Sequence, residues 1–282
     1  MTAIGEDKMA RKVEMTVLAD NTASQTLEAE WGLSILITVD GVRILLDTGA
    51  GGVFAQNARR LGADLAGVDF GVLSHAHYDH ADGLDTFFAL NGKAPFLVRE
   101  GSGENCWAVK EGRLTYIGVR RGALKEHEDR IRYVGGVYEL SDGVLLVPHR
   151  KTDYSSVALR NDLYAVRGGR RVPDDFAHEQ SIVIETEKGL IVFNSCSHTG
   201  ITNILEDIRE MLGRSDVFAY VGGLHLYKLT DEELFALCDE IESSSVERMF
   251  TGHCTGEHAF GILKQRLGKR ADRFCAGFSY SF

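Results

Sequence analysis

The sequence predicts an α/β chain folded as a four-layer αββα sandwich. Two observations carry that prediction. The chain reads as two halves, and each half opens on a β-hairpin signal; each hairpin is then followed by apolar strand runs alternating with amphipathic helical runs. No shorter repeat is visible.

Taken in order, residues 1–12 read as a lead, and Val13 to Leu18 as a first strand. Leu33–Val39 and Val42–Asp47 flank Asp40-Gly41, the dipeptide of a type I′ hairpin turn. The second of these strands runs into Asp47-Thr48-Gly49-Ala50-Gly51-Gly52. Val53 to Leu61 puts Phe54, Ala58 and Leu61 on one helical face, closed by Gly62. An apolar run, Phe70 to Leu73, is followed by a histidine-rich loop and a short helix from Leu84 to Leu90. Residues 99–176 carry turn signals and many basic residues, and read as an insertion of short strands that caps a substrate within one domain spanning 1–282. Order returns with a second hairpin, Ser181–Thr186 and Leu190–Ser195. A helix from Thr202 to Leu212 and a buried strand from Val217 to Val221 follow. Thr230-Asp231-Glu232-Glu233 has the form of a capping box opening a further helix. Arg248–Thr251 is a strand, and Glu257–Leu267 a last helix ended by Gly268.

Composition narrows the function class. A chain of 282 residues, 44% hydrophobic and 26% charged, can bury a full core. No run of about 18 apolar residues indicates a membrane span, and Met1 to Met15 lacks the apolar centre of a secretory signal. Five singly placed cysteines are not a disulfide framework and point to a reducing cytosol. A net charge of −10 speaks against a nucleic-acid partner.

The chemistry concentrates in Ser74-His-Ala-His-Tyr-Asp-His80. His75, His77, Asp79 and His80 fall within six residues, directly after a strand, where side chains reach one rim. Imidazole and carboxylate suit a borderline divalent ion such as zinc. A chance H-x-H-x-D-H in this composition is on the order of one in a thousand. Four ligands exceed what one open catalytic ion draws from so short a segment, so a two-metal site is expected, with His75 and His77 on one ion and Asp79 and His80 on the other. Zn²⁺ is the first choice; Mn²⁺ and Fe²⁺ are alternatives.

Such a site needs further ligands. His198, His253 and His225 each lie just past a predicted strand. His198 and His253 are expected ligands. His225 is expected as a ligand, a substrate contact or a proton donor. Cys196 could approach a metal as thiolate or be a buried free cysteine, and His178 precedes the strand pair that ends at Cys196. Asp47 is placed to hold a ligand histidine in one tautomer. Among the basic residues of the middle segment, Arg120, Arg121, Arg150 and Lys151 are candidates to grip an anionic group.

Several motifs together resemble the metallo-β-lactamase fold superfamily, from about residue 15 to 270. They are Gly32-Leu-Ser34, Leu46-Asp-Thr-Gly49, Leu73-Ser-His-Ala-His-Tyr-Asp-His80, Cys196-Ser-His-Thr-Gly-Ile201, Gly222-Gly-Leu-His-Leu226 and His253-Cys-Thr-Gly-Glu257. Within that superfamily they are similar to the dihydropterin synthase-like branch, the 7,8-dihydropterin-6-methyl-4-(β-D-ribofuranosyl)aminobenzene-5′-phosphate synthase-related proteins. Many superfamily members carry a bridging Asp where this chain has Cys196, and in the branch the His of Cys-Ser-His is the ligand, which favours His198. The resemblance implies a dinuclear metal-dependent hydrolase or transferase acting on a small phosphate- or pterin-bearing anion, with Asp79 and His225 in catalytic roles. The competing readings are a non-catalytic metal-binding sensor of the same fold, a lactonase or β-lactamase, and a di-iron redox protein. That last class usually carries Glu where this chain has His77.

Overall fold

The computed structural model describes residues 12–24, 26–149 and 153–282. Arg150 and Lys151, proposed from sequence as anion contacts, lie outside the described residues, as does the lead up to residue 11. No helix among the described residues is long and apolar enough to cross a membrane.

The first half builds β1 (Val13–Ala19), β2 (Ser34–Val39), β3 (Val42–Leu46), β4 (Phe70–Val72) and β5 (Phe96–Arg99). The predicted hairpin turn is present: Asp40 and Gly41 have φ of 47° and 91°, and Val39 pairs with Val42. Outside this sheet lie α1 (Val53–Leu61), α2 (Tyr78–Ala81) and α3 (Leu84–Leu90). Gly62 closes α1 in the left-handed region, its N–H donating to Ala58 and Arg59 carbonyls.

The stretch that reads as one insertion is divided. β6 (Trp107–Lys110) and β7 (Arg113–Tyr116) precede α4 (Ala123–Glu126), and β8 (Ile131–Val134) then joins the first sheet beside β5. β9 (Tyr138–Ser141) and β10 (Val144–Pro148) form the edge of the second sheet. After α5 (Ser155–Arg160), β11 (Leu163–Arg167) and β12 (Arg170–Pro173) pair with β6 and β7 into a separate four-stranded sheet. Among the described residues of this stretch, that small sheet is the one that joins neither seven-stranded sheet.

The second half supplies β13 (Gln180–Thr186), β14 (Gly189–Phe193), α6 (Ile201–Leu212), β15 (Val217–Val221), α7 (Asp231–Ser243), β16 (Arg248–Thr251) and α8 (Glu257–Leu267). β17 (Ala271–Arg273) closes the second sheet, and β18 (Ser279–Ser281) crosses to pair with β1 in the first. The capping box is formed at Thr230 and Glu233.

Strand alternation explains the four layers. Ile35 and Ile37 of β2, Ile44 and Leu46 of β3, Ile182 and Ile184 of β13 and Ile191 and Phe193 of β14 meet between the two seven-stranded sheets. Their sequence neighbours face outward: Leu45 packs under α1 and α3, while Val183 and Val192 pack under α6 to α8. In each half an antiparallel hairpin is extended by parallel strands, β3-β4-β5 in one and β14-β15-β16 in the other. Parallel strands end at one edge, so the loops after β4, β14, β15 and β16 share a rim.

Candidate metal centre

All the loop residues singled out from sequence are buried, and they converge. His75 and His77 sit on the extended segment leaving β4. Asp79 and His80 lie in the single turn of α2, which folds them back over the same rim. Gly32 permits that close approach: a Cβ there would stand 2.7 Å from the Asp79 carbonyl oxygen.

The contacts add one distant histidine to each pair expected from the sequence. His75 Nε2 lies 3.2 Å from His198 Nε2, and His80 Nε2 lies 3.2 Å from His253 Nε2. His77 packs against both His75 and His198, with ring centroids 4.6 and 4.7 Å away. Asp79 Oδ2 is 3.9 Å from His80 Nε2 and 3.6 Å from His253 Nε2. The residues therefore fall into two facing groups, His75, His77 and His198 on one side, Asp79, His80 and His253 on the other. Cys196 lies between them: its Sγ, 3.3 Å from His80 Nε2, belongs both to a close cluster with His75 and His198 and to one with His80 and His253.

Hydrogen bonds fix which ring nitrogen faces inward. A carboxylate only accepts, so Ser74 Oγ donates to Asp47 Oδ2 at 2.6 Å and must accept from His75 Nδ1 at 2.8 Å. Asp47 Oδ2 also accepts from His80 Nδ1 at 2.7 Å, and Asp47 Oδ1 from the Ser74 N–H at 2.7 Å. Asn21 Oδ1 accepts from His253 Nδ1 at 2.9 Å. Each Nδ1 is thus held as a donor and each Nε2 lone pair is left pointing to the centre, the arrangement expected of metal-ligating histidines. Glu179 holds the backbone of the third motif, accepting from the N–H groups of His198 (2.7 Å) and Thr199 (3.0 Å). Asp47, Ser197, His225 and His253 all have φ between 46° and 61°, a left-handed backbone that non-glycine residues adopt at a cost.

Electrostatics favour neutral imidazoles at four of these histidines, whereas at His80 burial is outweighed by Asp47 and Asp79, which raise it above the ordinary range. Burial and the neighbouring histidines push His75, His77 and His198 well below the ordinary histidine range, and burial takes His253 down to about 3. Burial drives the Cys196 thiol well up; Cys254 Sγ stands 3.4 Å from it. His77 Nε2, His198 Nδ1 and His225 Nδ1 are buried without partners. Neutral nitrogens aimed at one another, with orphaned ring atoms among them, fit a site that holds divalent cations.

His225 lies beside His198, ring centroids 4.4 Å apart, and forms a cluster with Cys196 and Cys254. His178 joins neither facing group. It sits behind His77 with Cys106 and Asp174, and accepts at Nδ1 from the Ala76 N–H at 3.2 Å.

The centre opens into a cavity of about 240 Å³ lined by Trp31, Tyr78, Asp79, Lys110, His225 and Lys228, among others. The structure does not bring Arg120 or Arg121 to it. Arg120 is engaged by Asp85 and Glu126, and the Arg121 guanidinium lies over the Tyr116 ring at 4.4 Å. Lys110 and Lys228, at the cavity instead, were not singled out from sequence. Lys228 follows the Gly222-Gly-Leu-His225 motif closely enough for that motif to have marked it, whereas Lys110 carries no local signal.

A family model described as the metallo-beta-lactamase superfamily matches residues 32–193. The chain belongs to the metallo-beta-lactamase superfamily. Within this superfamily it is 30% identical, over 88% of this chain and 89% of the relative, to the 7,8-dihydropterin-6-methyl-4-(beta-D-ribofuranosyl)-aminobenzene-5'-phosphate synthase of Methanocaldococcus jannaschii. It is 28% identical to an uncharacterized protein of the same organism, over 88% of this chain and 93% of that one. Among solved structures, a metal-dependent hydrolase of the beta-lactamase superfamily is similar with a TM-score of 0.80 and 31% identity, covering 95% of this chain and 98% of that one. The metallo-beta-lactamase fold implies divalent metal binding, and the histidine, aspartate and cysteine clusters are where this chain can provide it.

Proposed function

We propose that this protein is a dinuclear metal-dependent hydrolase or transferase acting on a small anionic substrate, one bearing a phosphate or a pterin. The observation that carries the reading is the pair of facing ligand groups meeting across Cys196 at the base of a cavity that also presents aromatic rings and two lysines. In this reading His75, His77 and His198 hold one ion, and Asp79, His80 and His253 the other. Cys196, close to ligands of both groups, would lie between the two ions. Bound Zn²⁺, with Mn²⁺ or Fe²⁺ as alternatives, would supply an activated water and charge stabilisation.

The chain's own groups do the rest. Asp47 and Ser74 keep His75 and His80 in a single tautomer, and Asn21 does the same for His253. Asp79, with a carboxylate oxygen near both His80 and His253, orients the reacting water. His225, at the cavity wall beside His198, donates a proton to the substrate oxygen or leaving group.

Substrate features match the walls. Trp31 and Tyr227 stack at 5.9 Å, both about half exposed, and give a planar heterocycle a surface to lie on. Lys110 reaches the same cavity and suits an anionic group, as does Lys228 on release from its ion pair with Asp162. Ala108, Val109, Ile117 and Leu163 of the small sheet and its flanks line the cavity too, so we assign that sheet the capping role within residues 99–176. The name of the archaeal relative supports a pterin- and phosphate-bearing substrate class for this chain as well.

Metal analysis and a substrate panel test the proposal together. About two equivalents of metal per chain are expected at the facing groups, lost with activity in His75→Ala and His80→Ala. Turnover is expected on phosphodiesters or pterin phosphates with Zn²⁺ or Mn²⁺. A protein that takes up no metal from supplemented medium would sink the reading, and metal without turnover across the panel would overturn its substrate half.

A further inference from the structure

We propose that Cys196 and Cys254 are an oxidation site: in the metal-free chain their thiols close into a reversible disulfide, and bound metal protects them. The two sulfurs stand 3.4 Å apart. Both side chains are buried, yet both line the cavity onto which the histidine groups open. A small oxidant that enters this cavity meets the pair without the chain unfolding.

The fold, not the sequence, brings the pair together. Cys196 follows β14, and Cys254 lies 58 positions later in the single turn His253–Thr255 after β16. Gly223 makes room for the second thiol: a Cβ there would stand 2.5 Å from Cys254 Sγ. Cys254 Sγ also lies 3.6 Å from the Cys196 carbonyl oxygen, so it is packed against the residue it would join. Disulfide sulfurs are about 2.05 Å apart, so closure asks for an approach of about 1.4 Å.

With a hydroperoxide as oxidant the chemistry balances in two steps. One sulfur gives an electron pair to the peroxide oxygen; the O–O bond breaks, a sulfenic acid forms, and water leaves with that thiol's proton. The second sulfur then displaces the hydroxyl group. The S–S bond forms, and a second water carries off the remaining proton. Two thiols are oxidised and one peroxide is reduced. The position of Cys196 gives the bond its consequence. Its sulfur is 3.3 Å from His80 Nε2 and clusters with ligand atoms of both facing groups. Once bonded to Cys254 it has no thiolate to offer a metal, and while engaged by a metal it is not free to attack. Oxidation and metal binding thus compete for one sulfur. That competition rests on the metal-centre reading above, whereas the disulfide itself does not.

The test uses the wild-type full chain, stripped with chelator and treated with hydrogen peroxide, so no variant has to fold. Free thiols are then alkylated in denaturant, and unreduced digests are read by mass spectrometry. A linked peptide pair carrying Cys196 and Cys254 is expected, with two fewer alkylated cysteines, both reversed by dithiothreitol. The link should persist in Cys275→Ser, which removes the partly exposed cysteine that a surface reaction would strike first. Zn²⁺ at about ten times its Kd leaves roughly one chain in eleven empty, so linking should slow about tenfold. Oxidation of Cys275 with Cys196 and Cys254 still alkylated, or a link from either to another cysteine, would overturn the site. Equal rates with and without Zn²⁺ in a protein that binds it would overturn the protection. The expected link in a protein that takes up no Zn²⁺ would fault the metal-centre reading and uphold the disulfide.

Discussion

Asp47 Oδ2 accepts a 2.7 Å hydrogen bond from His80 Nδ1, and both side chains are wholly excluded from solvent. Through Ser74 the same carboxylate also fixes His75, so one buried charge orients a histidine in each of the two facing groups. Asp47→Asn keeps the volume but replaces one acceptor oxygen with a donor. Metal affinity should fall about 10–100-fold with the fold retained, as chelator competition and circular dichroism would show. Unchanged affinity would mean that the Asp47 bond orients nothing of consequence.

Cys196 and His253 should separate by how many ions each affects. His253 belongs to one group only, whereas Cys196 lies close to both. Titrating metal into His253→Ala should show one weakened site, and into Cys196→Ala two. Two weakened sites in His253→Ala would show that the groups are not independent.

Lys110 and Lys228 are predicted to bind substrate without taking part in bond breaking. Each Lys→Ala should raise KM roughly tenfold, corresponding to about 1.5 kcal/mol for a charge-assisted contact, with kcat changed by less than about twofold. Steady-state kinetics on an anionic substrate checks this. A fall in kcat at constant KM would place them in the chemistry instead.

Glu30 provides a pH dependence away from the ligands. Burial raises its carboxyl to about 7, partly opposed by a hydrogen bond from the Ala50 N–H. The folded chain therefore binds this proton more tightly than the unfolded chain. Its contribution is fully present below about pH 4.5 and is lost as pH rises through about 7. Partial solvent access reduces the effect to roughly 1–2 kcal/mol. Denaturant unfolding at pH 4.5 and pH 8 should show that loss in wild type and not in Glu30→Gln.

Much of the fold was legible because it rests on local rules. The Asp40-Gly41 turn, Gly62 and the Thr230 capping box each act within a few residues, and the strands Val217–Val221 and Arg248–Thr251 fall where their apolar runs place them. Partnership at the site was less so. Spacing put His75 with His77 and Asp79 with His80 and named His198 and His253 as further ligands, but it could not say which joins which: the 3.2 Å contacts join residues 123 and 173 positions apart. Only the sheet order, which brings the ends of parallel strands to one rim, creates those contacts. β8 and β9 were hidden for a related reason: Gly135-Gly136 between them reads as a loop, and edge strands reveal themselves only through the sheet they join. Arg120 and Arg121 misled because charge density does not say which cations are already engaged by Asp85, Glu126 and Tyr116.

The left-handed backbones at Asp47, Ser197, His225 and His253 have a consequence for laboratory evolution. Glycine at any of them would relieve backbone strain, and where the side chain makes no structural hydrogen bond, as at His225 Nδ1, selection for heat tolerance alone would tend to enrich it. Each such gain would remove a side chain from the rim or its support. A library of this protein screened without a catalytic readout should therefore drift toward sturdier and inert molecules, and these four codons are the ones to hold constant.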